Sequence, residues 1–326
     1  MSPILFLHVP KTAGTSFCSA AVAALGNDRC LRDYGPDTEQ TSALIRELVY
    51  KDRDLHRLGC ALRERGIAML AGHFTLRKYV ALFGAESVVA FFRHPAAHVI
   101  SHYEHFVRHN GFTGTLGDFV SSPSGWGIQK KYSDGLPLEI FGCIGITEHY
   151  QESLTAFEAI HGIAVQNRRL NANPERENGQ GYQIPASHAD AYQAAVEEDL
   201  PTYVKALEIF ERRRLVINAG QPLVHGLIQV ARPDWLAGLA FRPGSDQPVV
   251  LEVEADGRSV AQVRCVKDRP MFRGVVRTRN GYIGFDLRRP RLFKPGQHVQ
   301  LRDTATGQVV GESACSAPEP GCEGLH

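Results

Sequence analysis

A chain of 326 residues with 43% apolar side chains is long enough for two domains and a sizeable core, which excludes bulk disorder. Its 36 basic and 35 acidic side chains leave a net charge of +1, so no global basic field advertises a nucleic acid as partner, and only a local basic groove could serve a polyanion. Seven cysteines without a CxxC pair read as reduced thiols rather than a disulfide framework or zinc site, and no apolar run approaches the roughly 20 residues of a membrane helix. Met1 leads straight into the first strand with no room for a signal peptide, so a cytoplasmic protein without a membrane span is expected.

The chain opens on Ile4, Leu5, Phe6, Leu7 and Val9, an apolar run that stops at Pro10. A short loop of small and hydroxylated residues follows, then a helix-compatible stretch over 17–25. Strand, loop and helix in that order leave backbone N–H groups unpaired at the positive end of a helix, an arrangement suited to gripping an anion. The loop amides of Lys11, Thr12, Ala13, Gly14, Thr15 and Ser16 are the candidate contacts, with the Lys11 ammonium as a mobile charge and three hydroxyls as further donors. A nucleoside-triphosphatase loop reads GxxxxGK[ST]; here the lysine comes first and none follows Gly14, which disfavours that chemistry.

Residues 28–66 are charged, with leucines at helical spacing, and read as two amphipathic helices covering a sheet. A short strand over 67–70 delivers Gly72 and His73 to its C-terminal end, where open α/β sheets carry their chemistry. A second apolar run over 87–92 reads as a strand buried on both faces and ends in Arg93, followed by Pro95 as the first residue of a helix. Arg93 and Ser101 would then face one phosphate across roughly 9 Å of helix. Residues 111–145 are rich in Gly and Ser and read as a surface loop, in which Trp126, Lys130, Lys131 and Tyr132 combine an aromatic face with cations suited to a sugar or acidic glycan. A buried strand over 142–147 and a helix from Glu148 follow, then a basic, Asn-containing segment with Arg168, Arg169 and Asn171.

Ser187 is placed to cap a helix reaching Asp199, and Pro201 marks a break before a further helix. From Gln221 the texture changes to seven short β-prone runs separated by turn signals such as Ala-Asp-Gly-Arg, which argues for an antiparallel sandwich over 221–326 after an α/β domain over 1–220.

PKTAGTS, preceded by His8, resembles the 5′-phosphosulfate loop of sulfotransferases that use 3′-phosphoadenosine 5′-phosphosulfate (PAPS), in the form seen in carbohydrate sulfotransferases. AGHFTL looks like the GH segment of heparan sulfate 2-O-sulfotransferase-like enzymes, and FFRHPAAHVISHYEHF resembles the family's 3′-phosphate motif. IGITEHYQESLTAF and the ED-L-P-x-Y pattern near residue 200 resemble later family elements, so the likeness spans about residues 3–214. It implies a P-loop-like parallel sheet flanked by helices, with PAPS as co-substrate, PAP as product and no metal. It further implies Lys11 and the loop amides on the 5′-phosphosulfate, Arg93 and Ser101 on the 3′-phosphate, and Arg168, Arg169 and Asn171 over the nucleotide. His73 is implied as general base, with His8 as the rival base or an acceptor contact. The sequence departs from the pattern at His98, where relatives often carry a second basic side chain.

The C-terminal part looks like sandwich modules attached to bacterial glycosyltransferases and sulfotransferases. Domain contact or homo-oligomerisation is its expected role, ahead of saccharide binding by Trp235, Tyr282 and nearby arginines. The expected acceptor is a carbohydrate or glycoconjugate. A kinase-type phosphotransferase and a non-catalytic nucleotide- or glycan-binding module stay open as alternatives.

Overall fold

The computed structural model describes residues 3–167 and 186–317. The chain divides into two compact units that part between Glu211 and Arg212, with the short segment Gly84–Glu86 grouped with the second.

In chain order the first unit contains β1 (Ile4–Leu7), α1 (Gly14–Leu25), β2 (Cys30–Asp33), α2 (Leu55–Glu64), β3 (Met69–Gly72) and β4 (Val88–Phe92). It continues with α3 (Pro95–His109), α4 (Ile128–Ser133), β5 (Cys143–Ile146), α5 (Tyr150–His161) and the start of α6 (Ala189–Asn218). The five strands form one parallel sheet in the order β2-β3-β1-β4-β5. Every residue of β1, β3, β4 and β5 is buried, because helices cover both faces of a parallel sheet. On one face Phe17 of α1 is the hub of the core, its ring centroid 4.6 Å from Phe6, 5.0 Å from Phe91 and 4.9 Å from Phe157 of α5. Burying each such ring stabilises the fold by about 1.5–3 kcal/mol.

The segment 28–66 is not wholly helical. It contributes the edge strand β2, which pairs residue for residue with β3 from Cys30↔Met69 to Asp33↔Gly72. The four-residue stretch CLRD has no apolar run to announce a strand, and only the partner fixes it. At that pairing a Cβ on Gly72 would lie 1.8 Å from the Asp33 carbonyl oxygen, so only glycine lets the two strand ends close. Pro201 does not break its helix either, since α6 runs without interruption through it. Buried Ala195 and Val196 before the proline and Tyr203, Ala206, Ile209 and Phe210 after it hold the helix through the lost hydrogen bond. The Gly- and Ser-rich stretch read as loop holds two short helices, α4 and Leu116–Val120, the latter closed by a capping box between Thr115 and Asp118.

The second unit is a β-sandwich. Its strands are β6 (His225–Arg232), β7 (Trp235–Phe241), β8 (Val250–Ala255), β9 (Arg258–Arg264), β10 (Gly284–Arg288), β11 (His298–Asp303) and β12 (Val309–Ala314). They form two antiparallel sheets, β10-β7-β6 and β12-β11-β8-β9. Alternating residues of β8 point into a core shared with Leu236, Phe285, Val299, Leu301 and Val310. Asp256 and Gly257 both have positive φ, 46° and 75°, the geometry that joins β8 tightly to β9. The architecture is thus an α/β domain followed by an antiparallel sandwich. No helix among the described residues is long and apolar enough to cross a membrane.

Candidate active site

From β1 the chain moves toward one edge of the sheet, and from β4 toward the other, so the crevice at their C-terminal ends is the switch point where open α/β sheets bind ligands. Three neighbouring strands end there. β3 delivers His73, β1 delivers the loop from His8 to Ala13, and β4 delivers Arg93.

The loop is held under strain. Lys11 (φ 62°) and Ala13 (φ 65°) are both left-handed without being glycine, at a cost of about 1–3 kcal/mol each. Side chains on the loop's flank pin it in that shape: the Arg93 guanidinium donates to the Lys11 carbonyl at 3.2 Å, and His98 Nε2 donates to the Pro10 carbonyl at 2.9 Å. A trans peptide holds its N–H opposite its C=O, so the N–H groups of Lys11 and Thr12 are turned away from those two side chains. No side chain caps α1, whose N-cap residue is Ala13 itself. The Lys11 ammonium is half-buried. Loss of water lowers its pKa from the ordinary lysine value, with the Arg108 and Arg93 cations acting in the same sense and Glu104 against them. Amides that no side chain caps, beside the Lys11 ammonium, form a cradle for an anion.

Not every loop hydroxyl is free for a ligand. Thr12 is buried and its hydroxyl donates to the Val9 carbonyl at 2.9 Å, which leaves its backbone N–H as its donor to the site. Ser16 is buried, whereas Thr15 is exposed. Ser101 is half-buried on α3. His98, where a second basic contact was in question, is fully buried, and burial pulls its pKa down to about 4. It is a neutral prop beneath the loop rather than a cation facing a phosphate. Arg168, Arg169 and Asn171 lie outside the described residues.

The two histidines differ in what their nitrogens do. His73 Nδ1 lies 2.7 Å from the His8 carbonyl oxygen, so in the neutral ring Nδ1 carries the proton and Nε2 keeps its lone pair. The His73 side chain reaches solvent, yet the protein packed around it removes enough water to lower its pKa, against the opposing pull of the carbonyl. His8 is buried, and burial, reinforced by His73 and Lys11, holds its pKa well below the usual value. Its Nδ1 lies 3.0 Å from the Tyr34 hydroxyl and its ring lies against Gly14, where a Cβ would come within 2.1 Å of His8 Cδ2. The rings of His8 and His73 are 4.5 Å apart, and Tyr34 and Tyr132 present their edges to His73 at 4.8 Å and 6.3 Å.

Several residues that order this site carried no sequence signal. Gln129, fully buried, brackets the Arg93 backbone: Arg93 N–H donates to Oε1 and Nε2 donates back to the Arg93 carbonyl, both at 2.8 Å. Gln129 is positioned in turn by Asp199 of α6, which accepts from the N–H groups of Gln129 and Lys130 and so caps α4. On the other side, buried Asp33 accepts from Lys78 at 2.7 Å, Tyr79 at 2.6 Å and Tyr50 at 2.7 Å, while its carbonyl accepts the His73 N–H. Burial raises the Asp33 pKa, but these donors outweigh it and hold the carboxyl below its ordinary value. All of them depend on contacts distant in sequence, which no local pattern announces. Of the residues expected to meet an acceptor, Trp126, Lys130 and Lys131 line one cavity, and Tyr132 presents its ring edge to His73.

No protein-family model matches the chain, and no curated protein matches it. Among solved structures it is similar to a sulfotransferase from Alicyclobacillus acidocaldarius, with 14% identity and a TM-score of 0.32, over 63% of this chain and 99% of that one.

Proposed function

We propose that the chain is a sulfotransferase that moves a sulfuryl group from PAPS to a hydroxyl of a carbohydrate or glycoconjugate. The observation that carries this reading is the His73 ring at the mouth of the anion cradle, its Nδ1 committed to the His8 carbonyl at 2.7 Å and its Nε2 lone pair therefore available as a base. PAPS supplies an activated sulfur and a leaving phosphate. Lys11 and the amides of residues 11–16 hold the 5′-phosphosulfate, and Arg93 with Ser101 holds the 3′-phosphate, with Arg168, Arg169 and Asn171 completing the nucleotide contacts. As the acceptor oxygen bonds to sulfur, His73 Nε2 takes its proton, and the bond from sulfur to the bridging phosphate oxygen breaks. Lys11 neutralises the charge left on that oxygen. His8 acts as a donor rather than the base: its Nδ1 is engaged with the Tyr34 hydroxyl, and its Nε2 lies at the loop beside Gly14. The α/β domain holds the nucleotide in the cytoplasm, and the sandwich serves domain contact or homo-oligomerisation.

Calorimetry with PAP and AMP tests the nucleotide, and a radiolabelled PAPS transfer assay tests the base. PAP is expected to bind at least about tenfold more tightly than AMP, since charge-assisted contacts to a 3′-phosphate are worth more than about 1.4 kcal/mol. His73→Ala is expected to lose at least about a hundredfold in turnover. Equal affinity for AMP removes PAPS, and activity that survives in His73→Ala but not in His8→Ala moves the base to His8.

A further inference from the structure

A cavity of about 470 Å³ takes no part in the nucleotide reading; Thr75, Arg77, Trp126, Lys130, Lys131 and Glu198 are among its lining residues. Its position ties it to His73: Thr75 is two residues further along the chain, and Tyr132, next to Lys131, presents its ring edge to the imidazole. Its chemistry is specific. Trp126 leaves 41% of its surface in water, so its indole face can meet a ligand, and it is the one large apolar side chain in the lining. A phenol or steroid would need an enclosed apolar slot, and most of the residues that line this cavity are charged instead. Pyranose rings have an apolar C–H face that fits an indole, and hydroxyls that fit carboxylate and guanidinium planes such as Glu198 and Arg77.

The charges do not cancel. Lys130 pairs with Glu198 at 2.7 Å, and Arg77 pairs loosely with Asp134 at 3.6 Å, both side chains about 70% exposed. Lys131 has no carboxylate partner among the described residues, which leaves one cation over. We propose that this cavity is the acceptor subsite and that it takes a saccharide bearing an acidic group, its ring on Trp126 and its carboxylate or sulfate at Lys131 and Arg77. Its role as acceptor subsite rests on the sulfuryl-transfer reading, whereas the binding itself does not.

The test is therefore saccharide binding by the full chain without PAPS, followed by tryptophan fluorescence and calorimetry. The probes are a hyaluronan tetrasaccharide, which carries uronate carboxylates, and neutral chitotetraose. Hyaluronan is expected to perturb the fluorescence and to bind about tenfold more tightly than chitotetraose, and Trp126→Ala and Lys131→Ala are each expected to weaken it about tenfold. Trp235→Ala, on the sandwich, is expected to keep both affinity and fluorescence response. Equal binding of the two probes, binding by neither, or a response lost in Trp235→Ala and kept in Trp126→Ala overturns the proposal. Saccharide binding that depends on Trp126 in a protein that does not discriminate PAP from AMP keeps the subsite and removes the sulfuryl-transfer reading alone.

Discussion

Replacing Gln129 by leucine tests whether the Arg93 backbone is held by a buried amide rather than by its strand. Gln129 supplies both an acceptor and a donor at 2.8 Å to one peptide unit on each side of Arg93, from a position that water does not reach. Leucine is similar in size and offers neither, so the Arg93 N–H and carbonyl are left unpaired. At about 1–3 kcal/mol for each unsatisfied group the loss is about 2–6 kcal/mol. Against a total stability of about 5–15 kcal/mol the protein stays folded but is measurably weakened. Gln129→Glu separates the two contacts: its carboxylate still accepts the Arg93 N–H but meets the Arg93 carbonyl with an oxygen instead of a donor, so it forfeits about half of that amount or more. Urea unfolding midpoints read the stability. The ratio of PAP to AMP affinity reads the site, and it is expected to narrow by about tenfold once the guanidinium loses its fixed origin. Leucine at wild-type midpoint and unchanged nucleotide discrimination would refute the reasoning.

Gly14→Ala drives a Cβ to 2.1 Å from His8 Cδ2, so the ring or the helix start must shift by about 1 Å, and turnover is expected to fall by about a hundredfold in the transfer assay. The pH profile of turnover should be bell-shaped: His73 must be neutral to accept a proton and its pKa lies below 6.5, so activity is full near neutrality and is lost only as pH falls below that value. The alkaline limb belongs to Lys11, whose pKa lies below 10.5, so activity declines before an ordinary lysine would titrate; an acid limb above 6.5 would contradict the base assignment. His98 stays neutral in the fold down to about 4 while an unfolded chain protonates it near 6.5, so the unfolded state binds more protons between those values. Its stabilising contribution is intact above about 6.5 and falls by about 3 kcal/mol as pH drops to about 4. His98→Gln should flatten part of that loss in acid melts, leaving the part due to His8, His73, His102, His105 and His161, which are shifted in the same sense.

The sandwich was legible strand by strand, because short β-prone runs such as β8 and β11, with their alternating burial, are separated by turn signals such as Pro243-Gly244, Asp256-Gly257 and Pro295-Gly296. The strand, loop and helix around Lys11 and the strand ends bearing His73 and Arg93 were legible for a similar reason: continuous apolar runs stop just before these polar residues. Local pattern failed where a partner made the decision. CLRD is a strand because β3 offers it a register, Pro201 sits in an unbroken helix because both its flanks are buried, and His98 is a neutral prop because the Pro10 carbonyl waits in a dry interior. The different hydrogen-bond partners of His73 and His8 were closed to the sequence altogether. Two histidines 65 positions apart carry the same side chain, and only the fold hands one of them a carbonyl at Nδ1 and sets the other beside a tyrosine hydroxyl and Gly14. Hydrogen-bond partners assign tautomers, and partners at that separation are chosen by tertiary structure.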